Sequence, residues 1–195
     1  MSQPRVLVAL ATFNERETLP SLVDAVHRSL PHADVLVVDD NSPDGTGEWC
    51  DGFGGDHRWF RCVHREGKLG LGSALKRSIE LAVAEGYWAV ATLDADWSHP
   101  PEALPALIAK AEAGADVVIG SRYCPGAEIV GWPWSRLAVS GTLNRLTRLA
   151  SGLEVADCSG NYRLYRTEAA AKIDWGRVRA SGYSFLEEVL AELRR

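Results

Sequence analysis

No window of the 195-residue chain reaches 18 apolar residues, so no membrane-spanning helix is predicted. Met1-Ser2-Gln3-Pro4-Arg5 carries no apolar run of the kind that opens a secretory signal, and the expectation is a cytosolic protein, or one peripheral to a membrane. No Lys/Arg run of the kind typical of a nucleic-acid surface occurs and the formal net charge is −5, which argues against such a surface. The four cysteines, Cys50, Cys62, Cys124 and Cys158, show neither paired metal-ligand spacing nor a disulfide-dense pattern, so small buried thiols in a reducing compartment are expected. The five histidines are scattered. No Gly-x-x-x-x-Gly-Lys-Ser/Thr phosphate loop and no Gly-x-Ser-x-Gly nucleophile elbow is present. Gly70-Leu71-Gly72 lacks the third glycine of a dinucleotide fingerprint and follows the third apolar run, not the first. Repeats, low-complexity tracts and flexible linkers are also missing.

What is present is an ordinary soluble composition, 46% hydrophobic and 24% charged. A chain of this length makes one domain and buries roughly 70% of its unfolded surface. Val6 to Ala11, Val35 to Val38, Phe60 to His64, Trp88 to Leu93 and Asp116 to Gly120 read as strands. Between them lie helical periods through Leu19, Leu22, Val23, Val26 and Leu30; Leu75, Ile79, Leu81 and Val83; and Leu104, Leu107, Ile108 and Ala111. Beyond Arg122 the rhythm changes: a Gly/Pro-broken stretch carries Ile129, Val130, Trp132 and Trp134, and a helix is expected from Ser135 to about Ser151. Tyr162 to Tyr165 is a further candidate strand and Phe185 to Leu193 a closing helix. The alternation predicts an α/β domain with a mostly parallel sheet and helices on both faces.

Polar loops follow the strands, so they gather on one edge of the sheet, where open α/β folds bind ligands. The central one is Leu93-Asp94-Ala95-Asp96-Trp97-Ser98-His99-Pro100-Pro101-Glu102. If the strand runs through it, Asp94 and Asp96 at i and i+2 project to one side. Paired hard carboxylates there suit a divalent cation carrying a substrate diphosphate; a solvated Asp pair in a turn is the plainer alternative. Asp39-Asp40-Asn41 has the look of the acidic pocket of a phospho-accepting receiver domain. That reading needs the acids after the first strand and a Lys after the fifth, whereas here they follow the second and Arg122 follows the fifth.

Five words taken together, Ala11-Thr12-Phe13-Asn14-Glu15, Val38-Asp39-Asp40-Asn41-Ser42-Pro43-Asp44-Gly45-Thr46, Lys68 to Ala74, Leu93 to Glu102 and Gly120-Ser121-Arg122-Tyr123, closely resemble the dolichyl-phosphate (polyprenol-phosphate) mannose synthases. These are inverting glycosyltransferases of GT-A (Rossmann-like) fold. The resemblance runs in order from about residue 5 to the end. It implies one GT-A domain over residues 1–195, with 123–152 as acceptor loop and helix. Most members continue through another strand and a basic loop, so the C-terminal portion of the family is expected to be missing here.

By that resemblance, Ala11, Phe13 and Glu15 would line a guanine-nucleotide pocket, although the usual family word there is Pro-Thr-Tyr-Asn-Glu. Val37 and Asp39 would contact base and ribose. Asp94, Ala95 and Asp96 would meet the diphosphate, with Asp96 the main ligand of Mg²⁺ or Mn²⁺, and Asp94 and Ser98 the further metal contacts. For Ser98 a helix-capping hydroxyl is the alternative. Arg122 would face phosphate and belong to the donor-binding residues too, while Arg136 and Ser140 would hold the acceptor phosphate, so Asp96, Arg122, Arg136 and Ser140 form the implied catalytic set. Asp157-Cys158-Ser159-Gly160-Asn161-Tyr162-Arg163 matches Asp-x-Thr-Ser-Gly-Phe-Arg with Asn161 at a glycine position, a residue that tolerates positive φ. The implied reaction moves mannose from GDP-mannose to a polyprenyl phosphate on the cytoplasmic face of a membrane, with Ile129, Val130, Trp132 and Trp134 as an interfacial patch or as packing on the sheet. A UDP-glucose-dependent polyprenyl-phosphate glucosyltransferase and an inactive binding subunit stay open as alternatives.

Overall fold

The computed structural model describes residues 4–124, 134, 140–142, 144–145, 147–148, 152–153, 155–182 and 184–194. Its strands are β1 (Val6–Thr12), β2 (Asp34–Asp39), β3 (Phe60–His64), β4 (Ala89–Asp94), β5 (Val117–Ile119) and β6 (Arg163–Arg166). The helices are α1 (Leu19–Ser29), α2 (Thr46–Asp56), α3 (Leu71–Ala84), α4 (Leu104–Glu112), α5 (Thr167–Ala170) and α6 (Ser184–Leu193), with a 3₁₀ turn at Pro101–Ala103. Of the helix expected over 135–151, residues 140–142, 144–145 and 147–148 are described and helical.

The sheet order is β3-β2-β1-β4-β6-β5. β1 to β4 run parallel, and β6 is antiparallel to both its neighbours. Side-chain alternation along β1 sends Val6, Val8 and Leu10 into one core layer with α1 and α4, and Leu7 and Ala9 into the other with α3 and α6. Fully buried runs such as Val35–Val38 are what a sheet covered on both faces requires.

The helix α2 had no aliphatic period to reveal it. It is held by aromatic packing instead, Trp49 stacking on Phe53 at 4.9 Å with Phe60 edge-on to both. The glycines after β3 also have structural work. Gly70 sits at φ +89, and a Cβ on Gly72 would lie 2.8 Å from the Ser181 carbonyl. That glycine lets α3 approach the segment leading to α6, so a positive-φ backbone at Gly70 and close packing at Gly72 give both glycines a structural reason.

Candidate active site

Strands β2 and β3 lie on one side of β1 and β4 on the other. The chain therefore reverses its direction of travel across the sheet between β1 and β4, and a crevice opens at the carboxyl ends of those strands. Register places the expected residues around it: Thr12 pairs with Asp39, and Ala11 with both Val38 and Asp94. The antiparallel β6 has its start at this same edge, which delivers Asp157 to Asn161 beside β4.

On the β1–β2 side the two exit loops are laced together. Asp39, 1% exposed, accepts hydrogen bonds from Thr12 Oγ1 (2.9 Å), Ser42 Oγ (2.6 Å) and the Ser42 amide (3.0 Å). Three successive amides of the first loop then donate into the second: Asn14 to Ser42 Oγ, Glu15 to Thr46 Oγ1 and Arg16 to Asp44. Burial pushes the Asp44 carboxyl up, but hydrogen bonds from Thr46 and the Arg16 amide outweigh it and hold the group below its ordinary range. The Glu15 carboxylate accepts from Thr18 Oγ1 (2.8 Å). Val37 is fully buried in the core, and Asp40, also buried, pairs with Arg65 and accepts from the Gly70 amide. Phe13 is half-buried with Lys68 Nζ 4.0 Å over its ring, a cation–π contact.

In the central loop the strand ends at Asp94, and Ala95 and Asp96 form a turn. The extended backbone expected to aim both carboxylates the same way is therefore absent. Trp97 stands at φ +64, an uncommon backbone for a bulky residue, and its indole reaches Ser21 Oγ at 3.3 Å. Asp94 is clamped from two sides. Asn161 Nδ2 donates to Asp94 Oδ1 (2.9 Å), and the Asp94 amide donates to His99 Nδ1 (3.0 Å). That second bond requires an unprotonated Nδ1, in keeping with burial pushing the His99 imidazole below its usual range. His99 stacks on Tyr162, whose hydroxyl donates to the Pro100 carbonyl at 2.7 Å. Asp96 is exposed and accepts from the Ser98 amide (2.9 Å). Ala95 is buried. Ser98 caps no helix, because the 3₁₀ turn that follows begins at Pro101 with Pro100 at its cap.

Asn161 is not among the residues at positive φ, so backbone tolerance does not explain it. Its backbone carbonyl accepts from Thr92 Oγ1, its amide group holds Asp94, and its Oδ1 is buried without a partner.

On the far side, Arg122 lies in a fork with Asp157: Nε to Oδ2 and Nη2 to Oδ1 are both 2.8 Å, and Nη2 also reaches Ser159 Oγ. Asp157 is fully buried. Burial raises its carboxyl, but hydrogen bonds from Arg122 and the Gly160 amide prevail and hold it below the ordinary carboxylate range. Ser140 accepts a 2.6 Å hydrogen bond from the Tyr123 hydroxyl. Arg136 lies outside the described residues, as do Ile129, Val130 and Trp132. Trp134, the described member of that apolar group, is 81% exposed.

The structure thus brings Ala11, Asp39, Asp94, Asp96 and Ser98 to one crevice, with Arg122 and Ser140 on the segment beyond β5. Sequence reasoning assigned no side-chain role to Asp157, Asn161 or His99. Two of them stand in the same Asp-x-Ser-Gly-Asn word, and a polar cluster leading directly into a strand was the available signal.

A divalent cation fits the donor set. Asp94 and Asp96 offer hard carboxylate oxygens, and the described residues contain no group of three or more His, Cys, Asp or Glu able to hold a metal alone. A cation shared between one or two carboxylates and a ligand's phosphates matches such a site.

The family described as glycosyl transferase family 2 matches residues 7–174. A polyprenol monophosphomannose synthase of Mycolicibacterium smegmatis is 43% identical over 93% of this chain and 69% of its own length. An undecaprenyl-phosphate mannosyltransferase of Micrococcus luteus is 40% identical over 93% of this chain and 74% of its own. The fold matches a solved glucosyl-3-phosphoglycerate synthase of Mycobacterium tuberculosis, in complex with Mn²⁺, UDP and phosphoglyceric acid, with TM-score 0.67 at 23% identity, covering 94% of this chain and 62% of that one.

Proposed function

The chain belongs to glycosyl transferase family 2, and we propose that it transfers mannose from GDP-mannose to a polyprenyl phosphate with inversion. The two mannosyltransferase relatives favour this donor sugar and acceptor class. The observation that carries the reading is the pair Asp94 and Asp96 at the reversal point between β1 and β4, with Asn161 on Asp94 and Arg122 forked to Asp157 of the same stretch.

An oxygen of the acceptor phosphate attacks C1 of the mannose from the face opposite the nucleotide. The bond from C1 to the donor diphosphate breaks and its electron pair leaves with GDP. The acceptor is mostly dianionic near neutral pH, its second pKa being about 6, so no residue is needed as base. What the chain contributes is position. Ala11, Phe13 and Glu15 frame the nucleotide, with the buried Val37 and Asp39 supporting them from beneath; Asp94 and Asp96 face the diphosphate over the buried Ala95; Arg122, Arg136 and Ser140 orient the acceptor phosphate. Mg²⁺ or Mn²⁺, held by Asp94 and Asp96 with Ser98 beside them, would neutralise charge on the leaving diphosphate. Among the described residues no helix is long and apolar enough to cross a membrane. Access to the lipid is assigned to the exposed Trp134 with Ile129, Val130 and Trp132, in peripheral contact with the cytoplasmic face.

The test is transfer of labelled mannose from GDP-mannose to a short polyprenyl phosphate, with Mg²⁺ or with EDTA. Metal-dependent labelled lipid is expected, and Asp96→Ala should lower turnover by at least a thousandfold, on the order of 4 kcal/mol. Equal turnover in EDTA, or transfer from UDP-glucose in preference to GDP-mannose, would overturn the reading.

A further inference from the structure

Beyond Ser140 the helical segment borders a cleft of about 460 Å³ lined by Tyr123, Gly141, Asn144, Arg145, Arg148 and Ala156. A second cleft of about 350 Å³ shares Arg145 and Arg148 and runs on to Gly152 and Leu153. The two arginines are three residues apart in the helical segment and so stand on one face. Both are exposed. Among the described residues neither meets a carboxylate, and none of the described residues lining the two clefts is an acid. In a chain of formal charge −5, this is a local reversal of sign.

The scaffold under the pair is braced. Asn144, 5% exposed, donates to the Ser140 carbonyl (3.0 Å) and accepts from the Cys158 amide (2.8 Å). Tyr123, on the cleft wall, is the residue that bonds Ser140. The groove therefore continues from the segment assigned to acceptor phosphate, and Arg194 packs over Gly152 at its far end.

We propose that this cleft is a second anion subsite, where Arg145 and Arg148 capture the phosphate monoester headgroup of the lipid acceptor before it reaches Ser140. Guanidinium forks match phosphate oxygens two at a time. Two of them facing one cleft favour a monoester, whose dianion carries the charge that a bilayer phosphodiester lacks. The inference rests on the reading of the chain as a transferase to a lipid phosphate.

The experiment is calorimetric titration of the full chain with geranyl phosphate, and separately with GDP, for wild type, Arg145→Gln/Arg148→Gln and Arg145→Lys/Arg148→Lys. Loss of a charge-assisted contact predicts weakening on the order of tenfold per arginine for geranyl phosphate. Affinity for GDP should stay unchanged, which also reports that the variant is folded, and the lysine variant should recover part of the loss. Inorganic phosphate should compete more weakly than the prenyl monoester. Equal competition would overturn the lipid source and leave a general phosphate site. Unchanged geranyl phosphate binding in the glutamine variant overturns the proposal. So does a defect confined to vesicles of phosphatidylcholine doped with phosphatidylglycerol, because the cleft would then read the bilayer's phosphodiesters. If wild type binds GDP but no prenyl phosphate, the reading of the acceptor class fails first, and the subsite with it.

Discussion

The loops on the β1–β2 side of the crevice and the segments beyond β4 use their acids differently. On the first side, Asp39 and Asp44 accept from hydroxyls and backbone amides of neighbouring loops, and only Asp40, directed away toward the nearly buried Arg65, takes a cation as partner among the described residues. On the second, Asp157 grips a guanidinium in a bidentate fork. An acid bonded to amides fixes backbone, which suits a pocket that a nucleotide must approach closely. An acid bonded to an arginine fixes the direction of a cation, which suits a site for a mobile anionic acceptor. The comparison predicts that damage on the two sides will differ in kind.

The largest expected effect is on the acceptor side. Asp157→Ala removes the partner of Arg122 and the acceptor of the Gly160 amide. Breaking a buried pair costs about 3 kcal/mol, at the low end of the usual range because the Arg122 side chain is 27% exposed. Denaturant unfolding measures it. The pH dependence sharpens the point. The folded carboxyl lies below its unfolded value of about 3.9 because Arg122 and Gly160 outweigh burial. Its contribution is therefore complete above roughly pH 4 and fades as pH falls through the folded value. The acid limb of the stability curve should be flatter in the variant, and an unchanged limb would remove Asp157 from that role.

On the donor side, Asp39→Asn is the milder break. The amide keeps the shape and its oxygen can still accept from the Ser42 backbone amide, but its NH2 then faces the Thr12 and Ser42 hydroxyls, which must turn from donors into acceptors. Losing the charge-assisted bonds to a buried carboxylate costs about 2 kcal/mol, and affinity for GDP should fall with it as the loops part. Calorimetry showing full GDP affinity alongside lowered stability would mean that the bracing acid and the nucleotide pocket are separate.

Much of this was legible beforehand because it is periodic or positional. Val6 to Ala11 and Val35 to Val38 are apolar runs that only a doubly covered sheet can bury, and the acids follow strands, so they had to share an edge. What escaped has physical reasons. α2 packs through Trp49 and Phe53, which leave no aliphatic stripe. β6 is antiparallel and inserts between β4 and β5, a pairing that no local pattern encodes, and it alone brings Asp157 and Asn161 to the crevice. Val37 and Asp39 occupy the expected place but are buried, and exposure is a tertiary property. The turn at Ala95 and Asp96 replaced an extended run because the strand stops at Asp94.

The smallest expected effect lies where the two sides meet. Asn161 comes from the acceptor-side segment yet clamps Asp94 on the donor side. Asn161→Gly, which restores the glycine usual in the resembling family, removes that 2.9 Å bond and also removes an Oδ1 that is buried without a partner. The two changes oppose each other, one losing a hydrogen bond and the other relieving an unsatisfied acceptor. Added backbone freedom costs about 0.5–1 kcal/mol, so global stability should drop by only about 1 kcal/mol. The freed Asp94 carboxylate, however, keeps His99 as its neighbour at 3.8 Å and loses the hydrogen bond from Asn161. Binding of Mn²⁺ in the presence of GDP, followed by titration calorimetry, should therefore weaken severalfold while GDP alone binds as before. If both affinities fall together, Asn161 supports the whole crevice and not Asp94, and the division between an amide-braced donor side and a cation-aiming acceptor side would no longer hold at their seam.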